Sequence, residues 1–233
     1  MLACLNSKNW MHPRRPDEMP QAMAESIAFA LTGDRRQKHV ALIYRSDKST
    51  LMLLHLGWHH QLYHEPWNGK YHWLEFGGLD RELQETFADW AVLVADASPG
   101  TPIPYSIIFR PGRNFDIEGH FIHQNDGSGL TCATFLLALF SDYDLPLIDV
   151  SSWPESRSGD LTWVRKILHI LRKQIRLNQL PAWDWIEQVK RRHKLRRFRP
   201  EEVFATAALF SGEPLNFSVV EPAGAAVNSA VPA

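Results

Sequence analysis

Four short runs along the chain have the residue pattern of β-strands. They are rich in aliphatic and aromatic residues, and turn-prone polar, proline or glycine segments separate them. Residues 39–44 and 51–56 predict one β-hairpin, and residues 105–110 and 115–122 predict a second.

Helical patterns fill much of the remaining chain. Apolar residues recur at helical spacing, or form one continuous run, in the segments 19–31, 79–97, 131–140, 161–177, 183–194 and 201–210. Ser128 or Thr131 would cap the helix over residues 131–140. Strands and helices in these proportions predict an α+β fold.

The length of 233 residues favours one large domain or one domain with an appendage. We expect an N-terminal helical segment at residues 1–34 and a core at residues 35–150. A helical C-terminal portion at residues 151–220 is expected to pack on this core. Residues 221–233 are almost uncharged and rich in alanine, valine and proline, so we expect a flexible tail there.

The overall charge is balanced, but the basic residues are unevenly distributed. The formal net charge is −1, which gives no general attraction to nucleic acid or to an anionic membrane. From Lys190 to Arg199, however, seven of ten residues are Lys or Arg. This basic run predicts a solvated helix face or a binding surface for an anionic partner, such as a lipid surface or an acidic protein. Nucleic acid is not expected, because no recognised nucleic-acid module is present.

The cysteine content and the hydropathy favour a cytoplasmic protein. Cys4 and Cys132 are too few for a disulfide scaffold, which indicates a reducing compartment. No run of about 18 apolar residues predicts a transmembrane helix, and the N-terminus lacks the apolar stretch of a signal peptide. Export by a non-classical secretion system stays open.

Cys132 is the first candidate for chemistry. A cysteine in the first turn of a helix lies where unpaired N–H groups and the helix dipole stabilise a thiolate. Gly127 and Gly129 would let the backbone approach a substrate closely, and the Cys132 N–H could stabilise an oxyanion. The alternative is a structural role, in which Cys132 is a small buried apolar residue.

Two histidines in the first predicted hairpin could supply a base. A turn centred on Asp47 would place His39 and His55 directly opposite each other on one face. One imidazole could then accept the thiol proton while the other orients it. Each could equally be an ordinary hydrogen-bonded strand residue. A third catalytic role has several polar candidates that the sequence does not rank: Glu75, Asn125, Asp126, His120 and His123.

The order of these motifs resembles that of the circularly permuted papain-like fold. The chain has His-x-Ala-x-x-Tyr from His39 to Tyr44, a short turn, a strand that ends in His55-Leu, and a Gly-rich loop that leads to Cys132-Ala-Thr-Phe. This superfamily includes the lecithin–retinol acyltransferase-like proteins and bacterial cell-wall or effector peptidases. The resemblance implies an antiparallel sheet packed on a cysteine-bearing helix. It assigns Cys132 as the nucleophile, and His39 and His55 to the base and orienting roles. We slightly favour His55 as the base, because the segment from His55 to His60 concentrates polar side chains there.

The resemblance implies a thiol-dependent hydrolase or acyl-transfer enzyme that needs no cofactor. Its substrate would be a peptide, isopeptide, cell-wall amide or ester, of peptide, glycan or acyl type, and the bacterial branch includes effector toxins. Trp58, His59, Gly129 and Thr131 flank the expected nucleophile and are the candidate substrate-binding residues.

Two other functions stay open from the residues alone. The first is a non-catalytic binding protein that uses the basic run and the aromatic segment after the first hairpin. The second is a metal-dependent hydrolase that uses His55, His59, His60 and His64, although Gly57 and the strand pattern around it weigh against a helical ligand set.

Overall fold

The computed structural model describes residues 13–18, 26–34, 37–45, 50–123, 128–155, 157–176 and 195–231. The fold is α+β, as predicted. The strands are β1 (Ile27–Gly33), β2 (Lys38–Arg45), β3 (Leu51–Trp58), β4 (Gln61–Pro66) and β5 (His72–Glu75). They form one antiparallel five-stranded sheet in the order β4-β3-β2-β1-β5.

The described α-helices follow the sheet in the chain. They are α1 (Arg81–Ala97), α2 (Cys132–Asp142), α3 (Asp160–Arg176), α4 (Pro200–Leu209) and α5 (Phe217–Ala230), with a 3-10 turn at Val150–Ser152. Four of them confirm the helices predicted over 79–97, 131–140, 161–177 and 201–210. No described helix combines the length and the apolar character that a membrane span requires.

The two faces of β2 belong to different apolar clusters. Val40 and Leu42 pack in the main core, which also contains the apolar side chains of α2 and α4. Ala41 and Ile43 point the other way and pack with Trp73. Because strand side chains alternate between faces, burial on both sides explains why the central strands are almost continuously apolar.

The sheet is open between the first half of β2 and the second half of β3. The β2–β3 register covers residues 42–45 and 51–54, whereas β1 pairs with β2 from Lys38 and β3 continues along β4 to Trp58. We call the opening between residues 38–41 and 55–58 the β2–β3 gap. At this gap the two central strands do not pair with each other, and Cys132 at the start of α2 lies against the backbone of Val40.

The predicted helix over residues 19–31 is wrong where the chain can be described. Ile27–Gly33 forms strand β1, which pairs with both β2 and β5, and residues 19–25 lie outside the described residues. The proposed helical segment at residues 1–34 therefore ends in a strand. A short run that is apolar at every position fits a strand buried on both faces as well as it fits a helix.

The predicted second hairpin is also wrong. Within residues 105–122 the structure has isolated bridges, such as that between Phe115 and Phe121, and no strand. The Asp142 carboxylate at the end of α2 accepts the N–H groups of Asn114 and Phe115, both at 2.8 Å. A helix side chain thus satisfies donors that a sheet ladder would otherwise pair.

The expected flexible tail is instead a helix. α5 extends to Ala230 and buries Val220 and Val227. A Cβ atom at Gly224 would lie 2.8 Å from Cγ of Glu202 on α4, so the two helices pack very closely there. The small apolar residues of this segment, which predicted a flexible tail, form the face of α5 that packs on α4.

The basic run contributes to the fold where it is described. Residues 195–199 are extended rather than helical, and the helix predicted over 183–194 lies outside the described residues. Asp160 pairs with Arg197 at 3.4 Å and with Arg199 at 3.2 Å. These two arginines share the carboxylate of the first residue of α3, so part of the charge of the basic run is balanced inside the molecule.

Candidate functional site

Thr131 fixes the start of α2 immediately before Cys132. Its hydroxyl accepts the Thr134 N–H at 3.2 Å, and the Thr134 hydroxyl accepts the Thr131 N–H at 2.7 Å. This reciprocal capping box confirms Thr131 as the helix cap. It holds Cys132 as the first residue of the helix, at the β2–β3 gap.

The Cys132 sulfur is buried against backbone donors. The residue is 8% exposed, and the N–H groups of Val40, Ala133 and Cys132 itself are directed at the sulfur. Burial raises the pKa of the thiol to about 11, and these N–H groups only partly offset the effect. The resting group is a neutral thiol at pH 7, which differs from the stabilised thiolate expected from the helix N-terminus alone.

The two hairpin histidines form a hydrogen-bonded pair. His39 Nε2 lies 2.9 Å from His55 Nδ1. The pairing of Tyr44 with Met52 centres the turn one residue beyond Asp47, so the histidines are diagonal rather than directly opposite neighbours. The predicted common face is confirmed, because moving the centre by one residue changes the pairing by two and preserves the alternation.

The histidine pair and the thiol approach the β2–β3 gap from different faces of the sheet. His39 alternates with Val40, whose side chain belongs to the core around α2, so both imidazoles lie on the other face. Among the described residues, no hydrogen bond joins the Cys132 sulfur to either imidazole. The contact of the sulfur with the backbone of Val40 nevertheless brings Cys132 next to the strand position of His39.

A cavity of about 90 Å³ connects these groups. Cys132, Thr131 and His39 line it together with aromatic and charged side chains of the surrounding elements. Trp58 stacks on Tyr105 with ring centroids 4.3 Å apart. The structure thus places the candidate substrate-binding residues Trp58 and Thr131 beside the candidate nucleophile.

Both imidazoles are neutral near pH 7. Burial, and to a lesser extent the nearby His55, lower the pKa of His39 to about 3. Burial also lowers the pKa of His55, while Glu65 opposes that shift. A neutral imidazole carries one proton, so each ring offers one donor and one acceptor nitrogen.

His59 and Gly129 have local structural roles. His59 Nδ1 accepts the N–H of Tyr105 at 3.2 Å, and its ring packs on His60. A Cβ atom at Gly129 would lie 2.2 Å from the carbonyl oxygen of Pro104. Glycine is therefore required for close backbone packing at this position, in contrast to the expected approach of a substrate.

The histidines from His55 to His64 do not converge on one point. His55 pairs with His39, His59 binds a backbone N–H, and His64 hydrogen bonds to Tyr44 on the opposite face. In the described parts of the chain, the three-residue group with metal-ligand spacing is instead the partly exposed set Asp116, Glu118 and His120. The geometry gives no support to a metal centre built from the histidine-rich segment.

The other candidates for a third catalytic role lie elsewhere or outside the described residues. Glu75 pairs with Arg14 at 3.8 Å, His120 with Asp116 at 3.3 Å, and His123 with the Arg113 carbonyl. Asn125 and Asp126 fall in residues 124–127, outside the described residues, as does Gly127.

Sequence reasoning missed Glu65 and Tyr71, which lie beside His55. Both follow the first hairpin, Glu65 in strand β4 and Tyr71 just before β5, and the sequence pattern does not predict either strand. The alternation of Tyr63 and Glu65 places these two residues on one face of β4, and the β3–β4 register makes it the face of His55.

Comparisons of the chain with family models, with curated proteins and with solved structures give no match. The fold and the site define an α+β protein with a buried cysteine at a helix start and a histidine pair across an opened sheet.

Proposed function

We propose that the protein is a thiol-dependent hydrolase or acyl-transfer enzyme that acts on an amide or ester carbonyl through Cys132. One observation carries the proposal. The β2–β3 gap brings the Cys132 sulfur against the backbone beside His39, and both residues line one cavity. This arrangement supports the assignment that the resemblance to permuted papain-like proteins implies.

Within this proposal, His39 is the base and His55 orients it. His39 lines the cavity with Cys132, and its Nε2 is already occupied by His55 at 2.9 Å. Its Nδ1 is the nitrogen left to receive a proton. The sequence slightly favoured His55 as the base. We assign this role to His39 instead, because His39 lines the cavity and His55 lies behind it.

The chemistry balances with these groups alone. The Cys132 thiol transfers its proton to His39 Nδ1 as the sulfur bonds to the carbonyl carbon. His39 then returns that proton to the departing nitrogen or oxygen when the carbon–nitrogen or carbon–oxygen bond breaks, which leaves a thioester. Water, or another acceptor, attacks the thioester with His39 again taking the proton, and the thiol is restored as the acid or transfer product leaves.

The helix start can stabilise the oxyanion that this attack creates. The N–H groups of Cys132 and Ala133 belong to the first turn of α2, where N–H groups have no carbonyl partner within the helix, and at rest they are directed at the Cys132 sulfur. A carbonyl oxygen bound there would meet donors fixed by the Thr131 cap.

The test is acylation of Cys132 by an activated ester such as p-nitrophenyl acetate. A Cys4→Ser background leaves Cys132 as the single thiol. We expect one acetyl group at Cys132 by intact mass, and a release rate about 10²- to 10⁴-fold lower in His39→Gln, the usual contribution of a general base. His169→Gln, an exposed imidazole on α3, is the matched control and should react as the parent does.

A non-catalytic binding protein is the second candidate, and the raised pKa of Cys132 favours it. In that case Cys132 would be acylated no faster than a free thiol peptide, and His39→Gln would have the same rate as His169→Gln. That pair of results would overturn the enzyme proposal.

A further inference from the structure

One buried nitrogen of the histidine pair faces a carboxylate. In the described parts of the chain, His55 Nε2 is buried and has no hydrogen-bond partner. Oε1 of Glu65 lies 3.7 Å from it, which is an ion-pair distance but too long for a hydrogen bond. Three groups therefore follow each other across the sheet: Glu65, His55 and His39.

We propose that Glu65 is a positioning residue that sets the protons on both imidazoles, so that Nδ1 of His39 is the proton acceptor. Its consequence for catalysis rests on the function proposed above, whereas the proton positions themselves do not depend on it.

The two imidazoles share a limited number of protons. The contact between His39 Nε2 and His55 Nδ1 needs one proton between the two nitrogens. If His39 donates it, His55 must carry its own proton on Nε2, where it points at the Glu65 carboxylate. If His55 donates it, the lone pair of His55 Nε2 faces the negative charge of Glu65.

The first arrangement is favoured because it sets an N–H, rather than a lone pair, against an anion. It leaves the lone pair of His39 on Nδ1, where it can accept the thiol proton. In the second arrangement Nδ1 of His39 already holds a proton and cannot act as a base. Glu65 therefore determines whether His39 can accept the thiol proton.

Among the described residues that face His55, one has a carboxyl group. His39 faces it from β2, Tyr63 and Glu65 from β4, and Tyr71 from the segment before β5. Burial raises the pKa of Tyr71, and Glu65 and Cys132 raise it further, so its hydroxyl stays neutral. Glu65 is the carboxylate of this set, and it faces the buried Nε2 of His55.

Asn68 holds the carboxylate in place. Its Nδ2 donates to Oε1 of Glu65 at 3.1 Å, the oxygen that faces His55. The Glu65 side chain is 42% exposed, so it can move the short distance needed to accept a hydrogen bond. We expect this contact to tighten when His39 takes the thiol proton, because the new positive charge is shared through His55.

The decisive experiment reads the proton positions directly. Long-range ¹H–¹⁵N correlation spectra of full-length protein labelled with ¹⁵N-histidine distinguish the two neutral forms of each ring. We expect both His39 and His55 to carry the proton on Nε2 at pH 7. In Glu65→Ala, His39 should show a mixture that includes the Nδ1-protonated form.

The controls separate a change in proton position from a loss of fold. Glu65→Gln keeps an oxygen that Asn68 can orient toward His55, so it should restore most of the parent spectrum. Glu213→Gln, in an exposed loop, should leave it unchanged. A parent spectrum with the His39 proton on Nδ1, or identical spectra in the parent and Glu65→Ala, would overturn the role of Glu65.

A kinetic readout follows in the Cys4→Ser background. Loss of a group that orients a functional histidine typically costs about 10- to 100-fold, so we expect that decrease in acylation rate for Glu65→Ala. Because Glu65 raises the pKa of His55, the acid limb of the pH–rate profile should also move to lower pH. Predicted proton positions in a protein that fails to acylate would retain the Glu65 assignment and reject the enzyme.

Discussion

At the scale of single residues, burial keeps the Cys132 thiol and the His39 imidazole uncharged at rest. It raises the pKa of the Cys132 thiol to about 11 and lowers that of the His39 imidazole to about 3. The two shifts have opposite signs because burial disfavours the charged form, which is the deprotonated thiol but the protonated imidazole. In the reaction proposed above, attack by the sulfur would therefore need a proton transfer at the same step.

The same shifts predict how stability depends on pH. The pKa of His39 falls from 6.5 to about 3 on folding, so between these values the unfolded chain binds more protons. Stability should therefore be retained above pH 6.5 and lost as the pH falls toward 3. His59, whose pKa burial lowers to about 4, acts in the same direction.

Urea unfolding from pH 4 to pH 8 measures this effect. His39→Gln should reduce the slope of the unfolding free energy by about 1.4 kcal/mol per pH unit within the acid window, since one group titrates. His169→Gln, on the exposed side of α3, provides the comparison. An unchanged slope in His39→Gln would mean that the folded protein does not keep this ring neutral.

At the scale of elements, the start of α2 sets the position of the sulfur. The Thr131 hydroxyl caps the helix, and the loss of such a cap typically costs about 0.5–2 kcal/mol. We expect Thr131→Ala to lower the free energy of unfolding by about 1 kcal/mol in urea titrations. Thr131→Ser keeps the hydroxyl and should recover most of it, so equal losses in both variants would contradict a capping role.

Some parts of the candidate site can be predicted from the local residue pattern, and others cannot. The common face of His39 and His55 follows from alternation alone, and the Thr131 cap follows from residue type and position. Glu65 could not be placed in the same way, because its contact with His55 depends on the β3–β4 register, which shifts between Leu56 and Trp58. That irregularity is set by tertiary packing and not by a local residue pattern.

The wrong predictions of a helix over β1 and of a second hairpin have similar physical causes. Strand β1 contains no polar position between Ile27 and Leu31, so its period cannot be read from the sequence. The second hairpin does not form because Asp142, which lies 28 residues after Asn114 and 27 after Phe115, accepts the backbone N–H groups of both residues. Both depend on partners distant in the chain, as does the packing of α5 on α4.

At the scale of the whole molecule, a buried ion cluster joins the C-terminal elements. Arg157 forms a two-pronged pair with Glu202 of α4, and it also donates to the Arg197 carbonyl at 2.6 Å. The Arg157 and Glu202 side chains are 12% and 3% exposed. The cluster thereby fixes the described end of the basic run onto α3 and α4.

Removing one partner of this cluster should destabilise the fold strongly. Glu202→Gln removes the carboxylate charge that balances the buried Arg157 guanidinium. Breaking a buried ion pair in this way costs about 3–5 kcal/mol of the free energy of unfolding. Glu155→Gln affects a partly exposed pair with Arg196 at 3.8 Å and should cost less than about 1 kcal/mol. Thermal and urea unfolding of both variants checks the difference, and similar losses would show that the cluster is not a principal anchor.

Because of the β2–β3 gap, one backbone amide is sensitive to the chemical state of the Cys132 sulfur. The Val40 amide would find a carbonyl acceptor in a continuous sheet, but here its N–H is directed at the Cys132 sulfur. The proton chemical shift of this one backbone amide depends on whether that sulfur is a thiol, a thiolate or a thioester. The chemical state of Cys132 can therefore be followed without attaching a probe to the candidate site, through the backbone amide of a neighbouring valine.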